Sequence, residues 1–178
     1  SFRKTLYAEY KANRSAPPEE LIPQFARIEE LVKSLGLPSF RLPGVEADDG
    51  IATLTREWTA QSPEHRVVIV TGDKDLMQLV NEQVTVWDTM GDKRYGPVEV
   101  EAKFGIPPSL IRDYLALMGD SSDNIPGVPG IGPKSAVDLL KTHGSLEGVL
   151  RAAESGQIAG KKGETVRTHQ ADARLSAE

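Results

Sequence analysis

Seven carboxylates in three short clusters dominate the chemistry open to this chain: Glu46-Ala47-Asp48-Asp49, Asp73-Lys74-Asp75 and Asp120-Ser121-Ser122-Asp123. If folding gathers them, their mutual repulsion has to be relieved by bound cations, and hard divalent ions such as Mg²⁺ prefer oxygen ligands of this kind. The hairpin Ile125-Pro126-Gly127-Val128-Pro129-Gly130-Ile131-Gly132-Pro133-Lys134 follows them. Its glycines allow positive φ and close approach by another molecule, and Pro133 suits the first turn of a following helix. The amides from Gly130 to Lys134 then point out of a helix N-terminus, a ready place for a DNA phosphate, with Lys134 adding charge. Apolar Ile131 anchors the turn. Carboxylates beside a phosphate-binding hairpin suggest a phosphodiester substrate.

Each piece alone has a plainer reading. Asp75 can cap the next helix by accepting a backbone N–H. Glu46, Asp48 and Asp49 open another helix, whose dipole favours negative charge. Asp120 and Asp123 lie three apart and share a face on a helical turn, or simply end a helix through Gly119. The hairpin can be a tight helix–helix corner. Lys11 and Arg14, interleaved with Tyr7 and Tyr10, can grip a single strand through phosphates and base stacking, or form a solvated helix face. The order of the three clusters ahead of the hairpin favours one shared pocket. A calcium loop does not fit, because Asp73-Lys74-Asp75 lacks the third acid, the central Gly and the terminal Glu of an EF-hand.

Composition sets the frame. At 178 residues the chain is one large domain or two small ones, with 39% hydrophobic and 26% charged residues. It has no cysteine, which excludes disulfides and zinc–thiolate sites. His65, His143 and His169 lack ligand spacing and read as surface or structural. No apolar run matches a membrane span and no secretory signal is visible, so a cytoplasmic location is expected. The net charge of −5 argues against nucleic acid at first. Setting the seven clustered acids aside leaves 19 of 26 acids against 21 Lys plus Arg, a frame of +2. Basic residues also concentrate at Arg3, Lys4, Lys11 and Arg14, and again at Lys161, Lys162 and Arg167. The chain opens on Ser1-Phe2-Arg3-Lys4 inside a helical pattern and reads as a segment of something longer.

The elements that must position these groups follow from periodicity. Phe2, Leu6 and Tyr10 predict a helix over 1–13, broken by Ser15-Ala16-Pro17-Pro18. Leu21, Ile22, Phe25, Ile28, Leu31, Val32 and Leu35 trace the clearest apolar stripe, a helix over 19–36 closed by Gly36. Pro38 to Val45 is extended, and a helix resumes near Asp48 with Ile51, Leu54 and Trp58 on one face. Gly50 within it costs roughly 1 kcal/mol relative to Ala and predicts an irregular first turn. Arg66-Val67-Val68-Ile69-Val70 predicts a strand buried on both faces of a parallel sheet. Asp73 and Asp75 follow it, where ligands sit in open α/β sheets. A short helix over 75–80, strands at 84–86 and 94–95, and helices over 98–104, 109–118, 133–142, 145–153 and 162–177 complete the pattern. Residues 1–97 therefore read as α/β and residues 98–178 as a compact helical module, with Gly156 to Gly163 as the linker-like stretch.

Taken together, Phe2-Arg3, Tyr10-Lys11-x-x-Arg14, Gly44-Val45-Glu46-Ala47-Asp48-Asp49, Thr71-Gly72-Asp73-Lys74-Asp75, Leu115 through Gly127 and Gly130-Ile131-Gly132 resemble the 5′-nuclease domain of bacterial DNA polymerase I, within the flap-endonuclease family. The likeness covers nearly the whole chain. It implies a PIN-like parallel-sheet nuclease core, incomplete here, and an all-helical module containing a helix-hairpin-helix that grips duplex DNA. It implies two-metal hydrolysis near 5′ ends, nicks or flap junctions, with Mg²⁺ or a substituting Mn²⁺. Glu46, Asp48, Asp49, Asp73, Asp75, Asp120 and Asp123 match metal-site positions. Tyr10, Lys11 and Arg14 match a helical arch, with Lys11 and Arg14 in catalytic roles. The hairpin matches the duplex contact, which in the family often holds K⁺. The candidate DNA contacts are Arg3, Lys4, Tyr10, Lys11, Arg14, Gly130, Ile131, Gly132, Lys134 and Ser135. A polymerase region in the same parent chain, a monomeric state and a bacterial cytoplasmic location are further implications. The family's first strand and a later one each carry a metal-binding Asp that this chain lacks, so a DNA-binding segment without chemistry is the alternative. Gly50 and Pro133 are smaller departures, where larger apolar residues and Glu are usual. An RNA-cleaving PIN-type toxin fits less well, because of the long helical module.

Overall fold

A computed structural model describes residues 2–178. The β-branched run Val67–Val70 forms β1, Val84–Asp88 forms β2 and Lys93–Tyr95 forms β3, in the order β1-β2-β3. β1 runs parallel to β2 with Val67 opposite Val84, and β2 runs antiparallel to β3 with Val86 opposite Tyr95. The helices are α1 (Arg3–Leu6), α2 (Ile22–Ser34), α3 (Ala47–Gln61), α4 (Pro97–Phe104), α5 (Ile111–Met118), α6 (Pro133–His143), α7 (Leu146–Glu154), α8 (Gly160–Thr168) and α9 (Gln170–Ser176). Short 3₁₀ turns cover Asp75–Leu79 and Pro108–Leu110. No helix among the described residues is long and apolar enough to cross a membrane.

One apolar core runs from the sheet into the helical half. Val84, Val86, Val100, Ile106, Ile111, Leu117, Leu140, Val149, Leu150 and Val166 are fully buried in it. α5 is its hub, with Ile111, Tyr114, Ala116 and Leu117 buried along one side. Burying that many aliphatic side chains, each about 1.5–3 kcal/mol, fixes α5 and with it the loop that leaves its C-terminus.

The structure departs from the sequence reading in five places. The expected helix over 1–13 is helical only over α1; residues 8–13 are turns, and Lys11 adopts φ +57°. Its backbone N–H donates to Asp123 O at 2.9 Å, so a contact 112 positions downstream overrides local helix preference. β1 is not buried on both faces: Ile69 is 5% exposed, but Val68 is 48% and Val70 60%. The reason is its place at the sheet's edge, with β2 as its one neighbour among the described residues. The α2 stripe does not face the core, and Phe25, Ile28 and Leu31 are all at least half exposed. The helix expected over 162–177 breaks at His169, whose Nδ1 lies 2.7 Å from Asp172 Oδ2 at the start of α9. The irregular first turn expected at Gly50 is also absent: α3 continues unbroken, with the Gly50 N–H donating to Glu46 O at 3.2 Å.

Candidate active site

Three chain segments deliver the acidic residues. Glu46 is the N-cap of α3, yet its side chain makes no capping bond. Its Oε2 instead accepts from Tyr10 OH at 3.1 Å and Lys11 Nζ at 2.5 Å. Asp48 and Asp49 occupy the first turn of α3. Asp49 takes a bidentate pair from Arg3, with both contacts at 2.8 Å.

Beyond β1, Thr71 Oγ1 accepts the Asp73 N–H at 3.0 Å and Asp73 Oδ1 accepts the Asp75 N–H at 3.0 Å. The capping expected of Asp75 therefore falls to Asp73. The Asp75 carboxylate is left for another purpose, and its Oδ1 is buried with no hydrogen-bond partner. Burial, with repulsion from Asp73 and Asp120, pushes the Asp75 carboxyl up to about 6.

The third segment is a tight loop. Asp120 and Ile125 exchange both backbone hydrogen bonds, at 2.9 and 2.7 Å, closing Ser121–Asn124 into a bulge. The closure needs two glycines. Gly119 and Gly127 both have positive φ, and a Cβ on Gly127 would lie 2.2 Å from Gly119 N. Asp120, only 7% exposed, accepts the Ser122 N–H at 2.8 Å and pairs with Lys74 at 3.0 Å. Burial opposes its charge, but Lys74 and the Ser122 N–H outweigh that and hold the carboxyl below its usual range. Asp123 pairs with Arg14 and lies 3.5 Å from Lys11 Nζ.

All seven carboxylates line two cavities that share Asp75, Asp120 and Asp123. One, of about 390 Å³, includes Glu46, Asp48 and Asp49; the other, of about 230 Å³, includes Asp73, Lys74 and Arg14. The expectation that bound ions must relieve the repulsion is corrected here, because Arg3, Lys11, Arg14 and Lys74 do much of it. With the side chains as they stand, no three acidic or histidine groups among the described residues can hold one ion. The chemistry of the site still fits a divalent cation. Its donors are carboxylate oxygens, and the orphaned Asp75 Oδ1 is an acceptor awaiting a partner.

Arg3, Tyr10, Lys11 and Arg14 thus sit in the site itself, with Tyr10 6% exposed. Lys4 is exposed, away from these pairs. Sequence reasoning missed Lys74, although a cation placed between two acids was a visible signal. It also missed Asn13 and Asn124, whose bonds join segments more than 100 positions apart.

Only the first two hairpin residues, Ile125 and Pro126, line the larger cavity; residues 127–134 line neither. Ile131 is 5% exposed and anchors the turn, as expected. Gly127 (φ +60°) and Gly130 (φ +76°) use the left-handed region, whereas Gly132 is an extended N-cap. The Ile131 N–H is taken by Val128 O at 3.1 Å, which removes it from the expected row of outward amides. Gly132 caps α6 without a side chain, so the first-turn amides of Lys134 and Ser135 have no capping partner. His65 is structural, stacked 4.1 Å from Trp58.

Comparison with known proteins matches these two halves to two family models: "5'-3' exonuclease, N-terminal resolvase-like domain" over residues 1–105 and "5'-3' exonuclease, C-terminal SAM fold" over residues 106–178. DNA polymerase I of Rhizobium leguminosarum is 50% identical over 179 residues, spanning 100% of this chain and 17% of that protein. The 5'-3' exonuclease of Aquifex aeolicus is 44% identical over 155 residues, 87% of this chain and 53% of that protein. The T5 D15 protein, solved with metal ions, superposes with a TM-score of 0.81 at 22% identity, over 99% of this chain and 69% of that one. The chain therefore spans about a sixth of the polymerase relative and about half of the exonuclease. A resolvase-like sheet domain with its carboxylate cavities, joined to a SAM-fold helical domain, places this chain in the 5'-3' exonuclease family.

Proposed function

We propose that this chain is the nuclease part of a longer DNA polymerase I-like protein of the bacterial cytoplasm, and that it hydrolyses phosphodiesters near 5′ ends, nicks or flap junctions in DNA during replication and repair. The observation that carries the reading is the gathering of seven carboxylates from three distant segments around two shared cavities. Glu46, Asp48, Asp49, Asp73, Asp75, Asp120 and Asp123 would hold two Mg²⁺ ions, or Mn²⁺ in their place. Bound there, such ions supply an activated water and stabilise charge developing on the phosphate.

The chain's own cations do the rest. Lys11 and Arg14 orient the scissile phosphate and neutralise its charge, exchanging carboxylate partners for phosphate oxygens. Arg3 and Tyr10 support them, and Lys4 extends the basic surface on the strand's approach. The Gly130–Gly132 hairpin, Lys134 and Ser135 take a duplex phosphate at the α6 N-terminus, with K⁺ a candidate for the same hairpin. The relatives support a polymerase region in the same parent chain, since each polymerase matched is several times longer. The protein acts as a monomer in this reading.

A 5′-flap cleavage assay with Mg²⁺ on the full-length protein tests it. Asp73→Asn and Asp120→Asn should bind flap DNA nearly as wild type and cut none. Wild-type cleavage rates in both variants would remove the assignment. One observation favours a second reading for the 178-residue segment on its own: its carboxylates are held by protein cations, with no three placed to share an ion. In that reading the segment binds branched DNA without cutting it, and Mg²⁺-supplemented cleavage by the segment alone would exclude it.

A further inference from the structure

Two asparagines outside the acidic set tie the segment carrying Lys11 and Arg14 to the loop carrying Asp120 and Asp123. Asn13 Nδ2 donates to Ser121 O at 2.7 Å, and Asn124 Nδ2 donates to Glu9 O at 2.7 Å. Each side chain thus reaches across to the other segment's backbone, and the two bonds fix the segment at Glu9 and Asn13, on either side of Lys11 and immediately before Arg14. Between them the Lys11 N–H donates to Asp123 O at 2.9 Å, and Arg14 Nε lies 3.4 Å from Ser122 O. The backbone is bent to allow this. Of three non-glycine residues with positive φ among the described residues, two are here: Lys11 at +57° and Asn124 at +58°. Such conformations cost about 1 kcal/mol or more and persist where the surroundings over-determine them, commonly at functional sites.

The geometry points to Asn13 and Asn124 as positioning residues that hold Lys11 and Arg14 over the carboxylate cavities. This inference rests on the nuclease reading above. Neither asparagine amide hydrogen-bonds an acidic side chain; both act through the backbone that carries the two cations. Without the clasp, residues 9–14 keep the ion pairs to Glu46 and Asp123, the Tyr10 hydroxyl contacts to the same two carboxylates, and the Lys11 and Arg14 backbone contacts. Those ion pairs are lost when the carboxylates or the cations turn to other partners. A clasp made of neutral amides survives that exchange, so the cations remain in register while their charges are re-paired.

The test uses Asn13→Ala, Asn13→Gln, Asn124→Ala and Asn124→Gly in the full-length protein. Asn124→Gly separates the two roles of that residue, since glycine accepts positive φ but offers no side-chain donor. The first readout needs no activity: trypsin cuts after Lys11 and Arg14, with the exposed α2 residue Lys33 as internal reference. Asn13→Ala and Asn124→Gly should speed the two cuts about tenfold relative to Lys33, as local opening becomes easier. The second readout is flap cleavage. There kcat should fall about tenfold with KM within about twofold, because misplaced cations cost more in the transition state than in binding, and Asn13→Gln should recover part of the loss.

Asn124→Gly behaving as wild type in both readouts would overturn the inference, since backbone conformation would then be all that Asn124 supplies. Faster trypsin cutting with unchanged kcat would overturn it as well, reducing the clasp to a structural staple. If wild type itself cuts no flap, the nuclease reading fails, and the trypsin rates still decide whether the clasp holds the segment.

Discussion

Replacing Asp75 by Asn should stabilise the metal-free protein at neutral pH, although it alters a residue of the candidate active site. The Asp75 carboxyl is pushed from 3.8 up to about 6, first by burial and then by Asp73 and Asp120, and its Oδ1 has no hydrogen-bond partner. A rise of that size corresponds to about 3 kcal/mol against the charged form. The side chain is partly open to solvent, and screening reduces this to about 1–2 kcal/mol. The sign follows from proton linkage. At pH 3 and below, folded and unfolded chains are both largely protonated at this group, and no penalty exists. As pH rises from 3.8 to about 6, the unfolded chain has released its proton while the folded chain still holds it, so stability falls across that window and stays lower above it. Asn carries no charge at any pH and removes the penalty. Thermal unfolding followed by circular dichroism in EDTA at pH 7.5 should therefore show Asp75→Asn melting about 3–6 °C above wild type. The gain should shrink toward zero by pH 3. Addition of Mg²⁺ should raise the wild-type midpoint more than that of the variant, because the ion relieves the same strain. A variant melting at or below wild type at pH 7.5, or gaining equally at pH 3, refutes the reasoning.

Other expectations are more direct. Lys134→Ala should weaken duplex binding uniformly across sequences and lower the slope of log affinity against log salt by about one, measured by fluorescence anisotropy. Gly127→Ala should destabilise the fold by about 3 kcal/mol or more, because its Cβ would lie 2.2 Å from Gly119 N and the φ of +60° disfavours a side chain; denaturant unfolding reads this. Asp48→Asn should weaken Mg²⁺ binding in calorimetry far more than Asp49→Asn, since Asp49 is already neutralised by Arg3; equal losses would contradict the pairing seen here.

How much the sequence revealed differs between the two halves. The helices of the C-terminal half follow from local periodicity and caps, as in α6, which opens at Pro133 and closes at Gly144 with φ +79°. α5, α6 and α7 pack against one another, so there the local signal and the tertiary result agree; the break at His169 between α8 and α9 is the exception. The N-terminal half misled where its apolar residues face no core, although Val84 and Val86 are buried. Val68 and Val70 carry a buried-strand pattern and lie exposed at the sheet's edge, and α2 shows a core-facing stripe with no core beneath it. Residues 8–13 misled for the opposite reason, since Asp123 O and Ser121 O capture the segment through contacts that no local pattern encodes. In the site, the seven acidic positions were visible as motifs. Their pairing was not, because which cation reaches which carboxylate depends on the bend at Lys11.

That pairing divides the seven carboxylates into two groups. Asp49, Glu46, Asp123 and Asp120 each have a cation, from Arg3, Lys11, Arg14 and Lys74 in turn. Asp48, Asp73 and Asp75 have no salt bridge among the described residues. Two of these three, Asp48 and Asp75, have carboxyl groups raised by burial and then by the charge on Asp73. The uncompensated negative charge is therefore concentrated where the first α3 turn meets the segment after β1, rather than spread over the cavities. A divalent cation gains most there, since it displaces no protein cation and relieves repulsion already present. In the proposed reaction it would have to compete with an ion pair at the other four carboxylates, and there the freed lysine or arginine would become available to a phosphate. The same arithmetic thus separates residues suited to draw the ion from those suited to hand a cation to the substrate.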